Sequence, residues 1–267
     1  MTTEKALALV DEFEAKTTKG KFTKLSRANV AQGVRERIKD PFLIQQSVTG
    51  TCVPASVVHG LAKNRPLDYA AAVTGLFDIG GWTIGKWVLK PDVALFDMPC
   101  PVSADFPFNE ADWVILASIR DSENWFFDFH SERDHFGDGS SMSEPKEWMK
   151  KAGFTDVQAD DGGVFYSTLT DKDRMIRKCL RLYNDGYHVI LAINASIIDS
   201  GLKPYPKVSG SNHVVAVAGT FEIPADLDNK VTIPIFTWGK KMNLPRVGGL
   251  TYRQFLEHFT DYVAGKA

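Results

Sequence analysis

Hydrophobic side chains recur at helical spacing through the front of this chain and in strand-like runs behind it, and that change of period decides what it can fold into. Val57, Val58, Leu61 and Ala62 fall at helical offsets, and LDYAAAVTGLFDIG, EPKEWMKKAGF and DKDRMIRKCLRLYNDG each read as a helix stopped by glycine. Behind them YHVILAINASI, NHVVAVAGTFEI and KVTIPIFTWG are rich in β-branched residues, with the turn formers PADLDN between the last two. TYRQFLEHFTDYVA returns to helical spacing and is expected to close the chain as a helix. The expected class is therefore α+β. DWVILASIRDS is an apolar run that periodicity alone leaves open between strand and buried helix.

The first forty residues are expected to stand apart from the rest. Ala6, Leu7, Val10 and Phe13 give one amphipathic helix, a lysine-rich stretch to about Arg27 reads as a linker, and a second helix from Asn29 to Ile38 ends before Asp40-Pro41. Residues 1–40 are thus expected as a helical arm and linker, and 41–267 as the main domain. A formal net charge of −2 gives no electrostatic footprint for nucleic acid, and no apolar run reaches the roughly 20 residues that a bilayer-spanning helix needs. The amphipathic, acidic N-terminus lacks the pattern of a secretory signal, so the chain is expected to be made as a cytoplasmic protein, with delivery by a machine that reads no signal peptide left open. Its three cysteines, Cys52, Cys100 and Cys179, are too scattered for a disulfide framework or a zinc site.

Several other motifs carry a bland reading. Gly80 followed by Gly85-Lys86 nearly matches a phosphate loop, but Trp87 stands where a hydroxyl would hold magnesium. His130 and His135, flanked by carboxylates in DFHSERDH, lie on no regular period that would bring both rings to one metal. No metal or organic cofactor is expected. Trp82, Trp87, Trp125 and Phe126 read as core or groove aromatics, and His59, His188 and His258 as packing or surface residues.

The stretch LIQQSVTGTCVPASVVHGLA, Leu43 to Ala62, is different. Thr51 is available as a cap and Pro54 suits a first turn, so Cys52 falls at the start of a helix, where the helix dipole favours a thiolate. An attacked carbonyl becomes an oxyanion, for which Cys52's own backbone N–H and the amide of Gln46, brought back by the loop containing Gly50, are candidate donors. The base has to come from elsewhere in the chain. His213 opens the strand HVVAVAG directly after the polar loop SGSN, which puts its ring at a strand end.

Gln46 six residues before Cys52, a helix running on from that cysteine, Asn212-His213 before an apolar strand, and Trp238-Gly239 closing the next strand together resemble papain-like cysteine peptidases. The resemblance implies a two-lobed α+β fold, a helical lobe of about 41–185 carrying the nucleophile and an antiparallel-sheet lobe of about 186–267 carrying the histidine. It implies Cys52 as nucleophile, His213 as base, Gln46 as oxyanion donor and Trp238 as a cover over the residue that orients the histidine. Where the family has asparagine two residues before that tryptophan, this chain has Phe236, with Thr237 between. The orienting group is thus open between Thr237, Asn194 and none. TGTCVPAS, LAKNRPLDYAAAVTGLFDIGGWTIG, DWVILASIRDSEN and EPKEWMKKAGFTDV are further similar to papain-like toxin domains of bacterial polymorphic toxins and type VI secretion effectors. That resemblance implies a protein substrate in a competing bacterium, with a cognate immunity protein and a delivery protein as partners. The expected activity is a cysteine endopeptidase; the alternatives are a glutamine deamidase or transglutaminase-like enzyme on the same centre, and a binding module without turnover.

Overall fold

A computed structural model describes residues 2–46, 51–101, 108–123, 142–159, 168–198 and 211–267. Its helices are α1 (Thr2–Glu14), α2 (Arg27–Lys39), α3 (Cys52–Asn64), α4 (Pro66–Ile79), α5 (Glu110–Glu123), α6 (Ser143–Lys151), α7 (Leu169–Asn184) and α8 (Tyr252–His258). The strands are β1 (Trp82–Ile84), β2 (Trp87–Leu89), β3 (Thr155–Ala159), β4 (His188–Ile193), β5 (His213–Val217), β6 (Lys230–Val231), β7 (Ile233–Thr237), β8 (Lys240–Leu244), β9 (Leu250–Thr251) and β10 (Phe259–Lys266). The class is α+β, around an antiparallel sheet of order β3-β10-β4-β5-β7-β8.

Local chemistry explains most boundaries. Ser26 caps α2, Thr168 caps α7, and Thr251 with Gln254 forms a reciprocal capping box on α8. Pro66 sits in the first turn of α4, whose C-cap Gly80 is left-handed at φ 80°. Gly85, at φ 61°, makes the turn between β1 and β2. The near-phosphate loop is therefore a helix stop followed by a hairpin turn, with no helix N-terminus to receive a phosphate.

Alternation along the strands sorts the interior into two cores. Ile190, Ala192, Val214, Ala216, Phe236 and Val263 face the first core, which the helices of the front half fill. Val189, Leu191, Val215, Val217 and Ile235 face the second, under α7 and α8. DWVILASIRDS resolves as α5, a helix whose residues from Ala111 to Ile119 are all buried, which is why it showed no polar face.

Two expectations are corrected. Residues 1–40 are no separate arm: Ala6, Val10, Phe13, Phe22, Val30 and Val34 all enter the first core. Arg27 reinforces this docking, with its guanidinium carbon 4.5 Å from the ring centre of Phe13 and Nη1 2.6 Å from Asp78. The closing segment is not one helix either. α8 ends at His258 and the chain turns into β10, which hydrogen-bonds to β3 on one side and β4 on the other. Phe259, Tyr262 and Val263 suit a pleated, buried surface, and pairing on both edges overrides the helical spacing. Among the described residues no helix is long and apolar enough to cross a membrane.

Candidate active site

Cys52 is the first residue of α3, a helix buried from Cys52 through Ala62 and packed against β5, β4 and β7. Thr51 occupies the N-cap position but makes no side-chain cap; its hydroxyl instead donates to the carbonyl of Gln46 at 3.0 Å, tying the ends of the intervening loop together. Residues 47–50, including Gly50, lie outside the described residues. Gln46 itself is buried.

Burial governs the thiol. Cys52 is 5% exposed, and loss of solvent pushes it up to about 11, although the backbone N–H groups of Val214, Val53 and Cys52 face the sulfur and draw it partly back. The helix start alone does not produce the depressed value expected from the sequence. The Val214 contact locates the sulfur: it lies against the backbone of β5, one residue past His213.

His213 is held on two sides. Its Nε2 and the hydroxyl oxygen of Thr237 are 2.8 Å apart, both residues buried, and the indole of Trp238 stacks on the ring with centroids 5.0 Å apart and planes 23° from parallel. Trp238 reaches that position through an unfavourable backbone. Thr237 pairs with Lys240, so Trp238-Gly239 is a two-residue hairpin turn, with φ 48° at the tryptophan and 66° at the glycine. A bulky residue at positive φ is a steric outlier, and here it lays the indole over the histidine. Burial lowers His213 to about 4, so the ring is neutral at ordinary pH.

The candidates do not all meet. His213, Thr237 and Trp238 form one contact group; Cys52 and Gln46 belong to the α3 side. Val214 and Ala216 point to the first core, whereas His213 shares the parity of Val215 and Val217 and its cover Trp238 packs against the second. The sulfur lies against the backbone N–H of Val214, and no hydrogen bond among the described residues joins it to the ring of His213. The side-chain oxygen of Asn194 caps the 3-10 turn Ala195–Ile197 by accepting from Ser196 at 3.1 Å.

Three residues the sequence did not single out lie around these elements. Gln45 lies against the turn, so that a Cβ added to Gly239 would stand 3.2 Å from its Nε2. His59 and His188, read from sequence as ordinary packing residues, form a buried pair with ring centroids 5.4 Å apart. His59 stacks on Phe236 at 4.1 Å and His188 meets the carbonyl of Ser56 through Nε2 at 2.7 Å. Burial lowers both, His188 to about 4. Their signal was position: His59 is seven residues past Cys52, on the same face of α3. Cys179 is buried, and burial with nearby Glu110 pushes Cys100 up to about 12. Trp125, Phe126, His130 and His135 lie outside the described residues.

Comparison of the chain with protein-family models, with curated proteins and with solved structures gives no match in any of the three.

Proposed function

We propose that this chain is a papain-like cysteine hydrolase, a peptidase that cleaves a protein substrate inside a bacterial cell as an antibacterial effector. The observation that carries the reading is the sulfur of a helix-initiating cysteine lying against the strand that His213 opens, with that ring clamped between Thr237 and Trp238. In this reading the thiol proton passes to His213 as the sulfur bonds to the amide carbon, and the carbonyl electrons collect on oxygen. The backbone N–H of Cys52 and the amide of Gln46 receive that oxyanion. It collapses, the C–N bond breaks, and His213 returns its proton to the leaving amine. Water then attacks the acyl-enzyme with His213 as base, and the thiol is regenerated. The thiolate forms in the substrate complex, where catalytic hydrogen bonds tighten, rather than in the free protein. Partners in this reading are the substrate, a cognate immunity protein and a delivery protein.

One observation favours a second reading, a binding module without turnover: the thiol is raised to about 11, and the group at Nε2 of His213 is an uncharged hydroxyl. Mapping of new protein N-termini in bacteria expressing the parent or Cys52→Ala separates the two. New termini that depend on Cys52 support the peptidase. Their absence, together with equal toxicity of the two forms, removes it, and a target gaining about one dalton without new termini assigns deamidation instead.

A further inference from the structure

Among the described residues one ion pair is buried at both partners, and the chemistry above does not use it. Arg37 of α2 and Asp112 of α5 meet in a bidentate contact, Nε to Oδ1 at 2.8 Å and Nη2 to Oδ2 at 2.7 Å, with side-chain exposures of 6% and 0%. Burial alone would lower the Arg37 guanidinium, and the charge and hydrogen bonds of Asp112 more than reverse this; burial in turn raises the Asp112 carboxyl, against the charge and hydrogen bonds of Arg37 and the backbone N–H of Gln45. A buried pair of this kind adds little net stability over well-packed apolar residues of the same volume, because desolvation offsets most of the attraction. Its other contacts are more telling. Asp112 Oδ2 also accepts the backbone N–H of Gln45 at 2.9 Å, and Arg37 Nη2 also donates to the carbonyl of Leu43 at 3.0 Å.

Both extra bonds fall on the three residues before Gln46. The same short segment also borders the turn: a Cβ added to Gly239, next to Trp238, would stand 3.2 Å from Nε2 of Gln45. Its far end is tied by Thr51, whose hydroxyl donates to the carbonyl of Gln46 immediately before Cys52. Leu43 to Gln46 is therefore hydrogen-bonded to α2, to α5 and to the residue before α3, and it borders the turn that covers His213.

We infer that Arg37 and Asp112 are positioning residues, which hold the Leu43–Gln46 segment so that the amide of Gln46 stands where the oxyanion forms. The inference rests on the cysteine-hydrolase reading for its chemistry, but the clamp itself is testable without turnover. The double variant Arg37→Met/Asp112→Leu replaces both charges by apolar side chains, a change that preserves stability where a pair serves only packing. Gln45→Pro is the second variant: it deletes the backbone N–H that Asp112 accepts and leaves the ion pair intact, and Ile44, extended at ψ 114°, suits a residue before proline.

Three measurements are made on the full chain. Amide hydrogen exchange at Gln46 in both variants, and at Gln45 in the double variant, reads the clamp. Inhibition by a peptide aldehyde reads the oxyanion site: the sulfur adds to the aldehyde carbon, the thiol proton ends on its oxygen, and oxyanion donors stabilise the adduct. Alkylation of Cys52 by iodoacetamide forms no oxyanion and serves as the control. The expected result is exchange at least about tenfold faster, aldehyde affinity lower by on the order of a hundredfold, the usual effect of losing one oxyanion donor, and an unchanged alkylation rate. Folded variants with parental exchange and parental aldehyde affinity overturn the inference. Faster exchange in a protein whose parent binds no aldehyde upholds the clamp and overturns the hydrolase reading instead.

Discussion

The hydroxyl oxygen of Thr237 stands 2.8 Å from Nε2 of His213, under the indole of Trp238 and out of contact with solvent. The hydrogen bond fixes Nε2 as the ring nitrogen engaged with Thr237, so in the proposed reaction it is Nδ1 that would take the thiol proton. Because the partner is neutral, it orients an imidazolium without stabilising its charge as a carboxylate would.

Thr237→Val keeps the shape of the side chain and removes the oxygen, leaving a buried ring nitrogen unsatisfied, which costs about 1–3 kcal/mol. Thermal denaturation is expected to show that loss, and target cleavage is expected to fall about tenfold or more, with Thr237→Ser restoring both. Cleavage by Thr237→Val equal to the parent excludes an orienting role.

Cys52→Ala and His213→Ala are each expected to abolish cleavage and toxicity while the chain stays folded, a larger effect than that of Thr237→Ala. Circular dichroism checks the fold, and new N-termini in expressing cells check the activity. Removal of the Cys52 sulfur deletes few packing atoms, so stability changes by about 1 kcal/mol or less.

The free protein should react as a neutral thiol. With Cys52 raised from 9.0 to about 11, iodoacetamide labelling of this residue is expected to be slow at neutral pH and to climb between those values. The sign for stability follows. Above the ordinary thiol value the unfolded chain ionises and the folded chain does not, so stability falls as pH rises through this window. Labelling that is fast and flat near pH 6 would show a preformed thiolate and contradict this.

Acid acts through the histidines. His188 and His213 are lowered from 6.5 to about 4, and His59 well below its ordinary value, so the unfolded chain binds protons that the folded chain refuses. Stability is therefore complete above about pH 6.5 and declines toward pH 4, by up to about 3 kcal/mol for each of His188 and His213. Lys63 on α3 acts in the same direction, its charge further disfavouring protonation of His59 and His188. Denaturant titrations at pH 7, 5.5 and 4.5 measure the slope, and His188→Gln should flatten it.

Trp238→Gly relieves the left-handed backbone at φ 48° by about 1 kcal/mol while uncovering His213. The expected signature is a His213 that titrates by NMR nearer 6.5 than 4, with little change in denaturation temperature. Gly239→Ala has the opposite balance: φ 66° and the contact with Gln45 predict a loss of about 1–3 kcal/mol.

How far the sequence reached depended on range. Helix α3 beginning at Cys52, strand β5 opening at His213, and the end of β7 at Trp238-Gly239 were legible because each rests on a local signal: an apolar period, a β-branched run, a run of that kind ending in glycine. The docking of residues 1–40 was hidden because an amphipathic face does not say what it meets. β10 was hidden because its partners lie about 70 and 105 residues earlier, a separation no local pattern encodes. The Arg37–Asp112 pair left one trace, a carboxylate inside the apolar run ADWVILASI, where a lone charge demands a buried partner. The position of sulfur relative to ring was beyond reach, since side-chain parity at a strand end depends on a register set by β4 and β7.

The place of β10 has a temporal consequence. Lying between β3 and β4, it divides the sheet into parts that cannot join until Lys266 has left the ribosome. During synthesis the early helices can collapse around Phe13 and Phe77, but β4 waits with one edge bare. Assembly of the full sheet that carries His213 therefore waits for β10, and until that strand has emerged Cys52 and His213 stand on unfinished scaffolding.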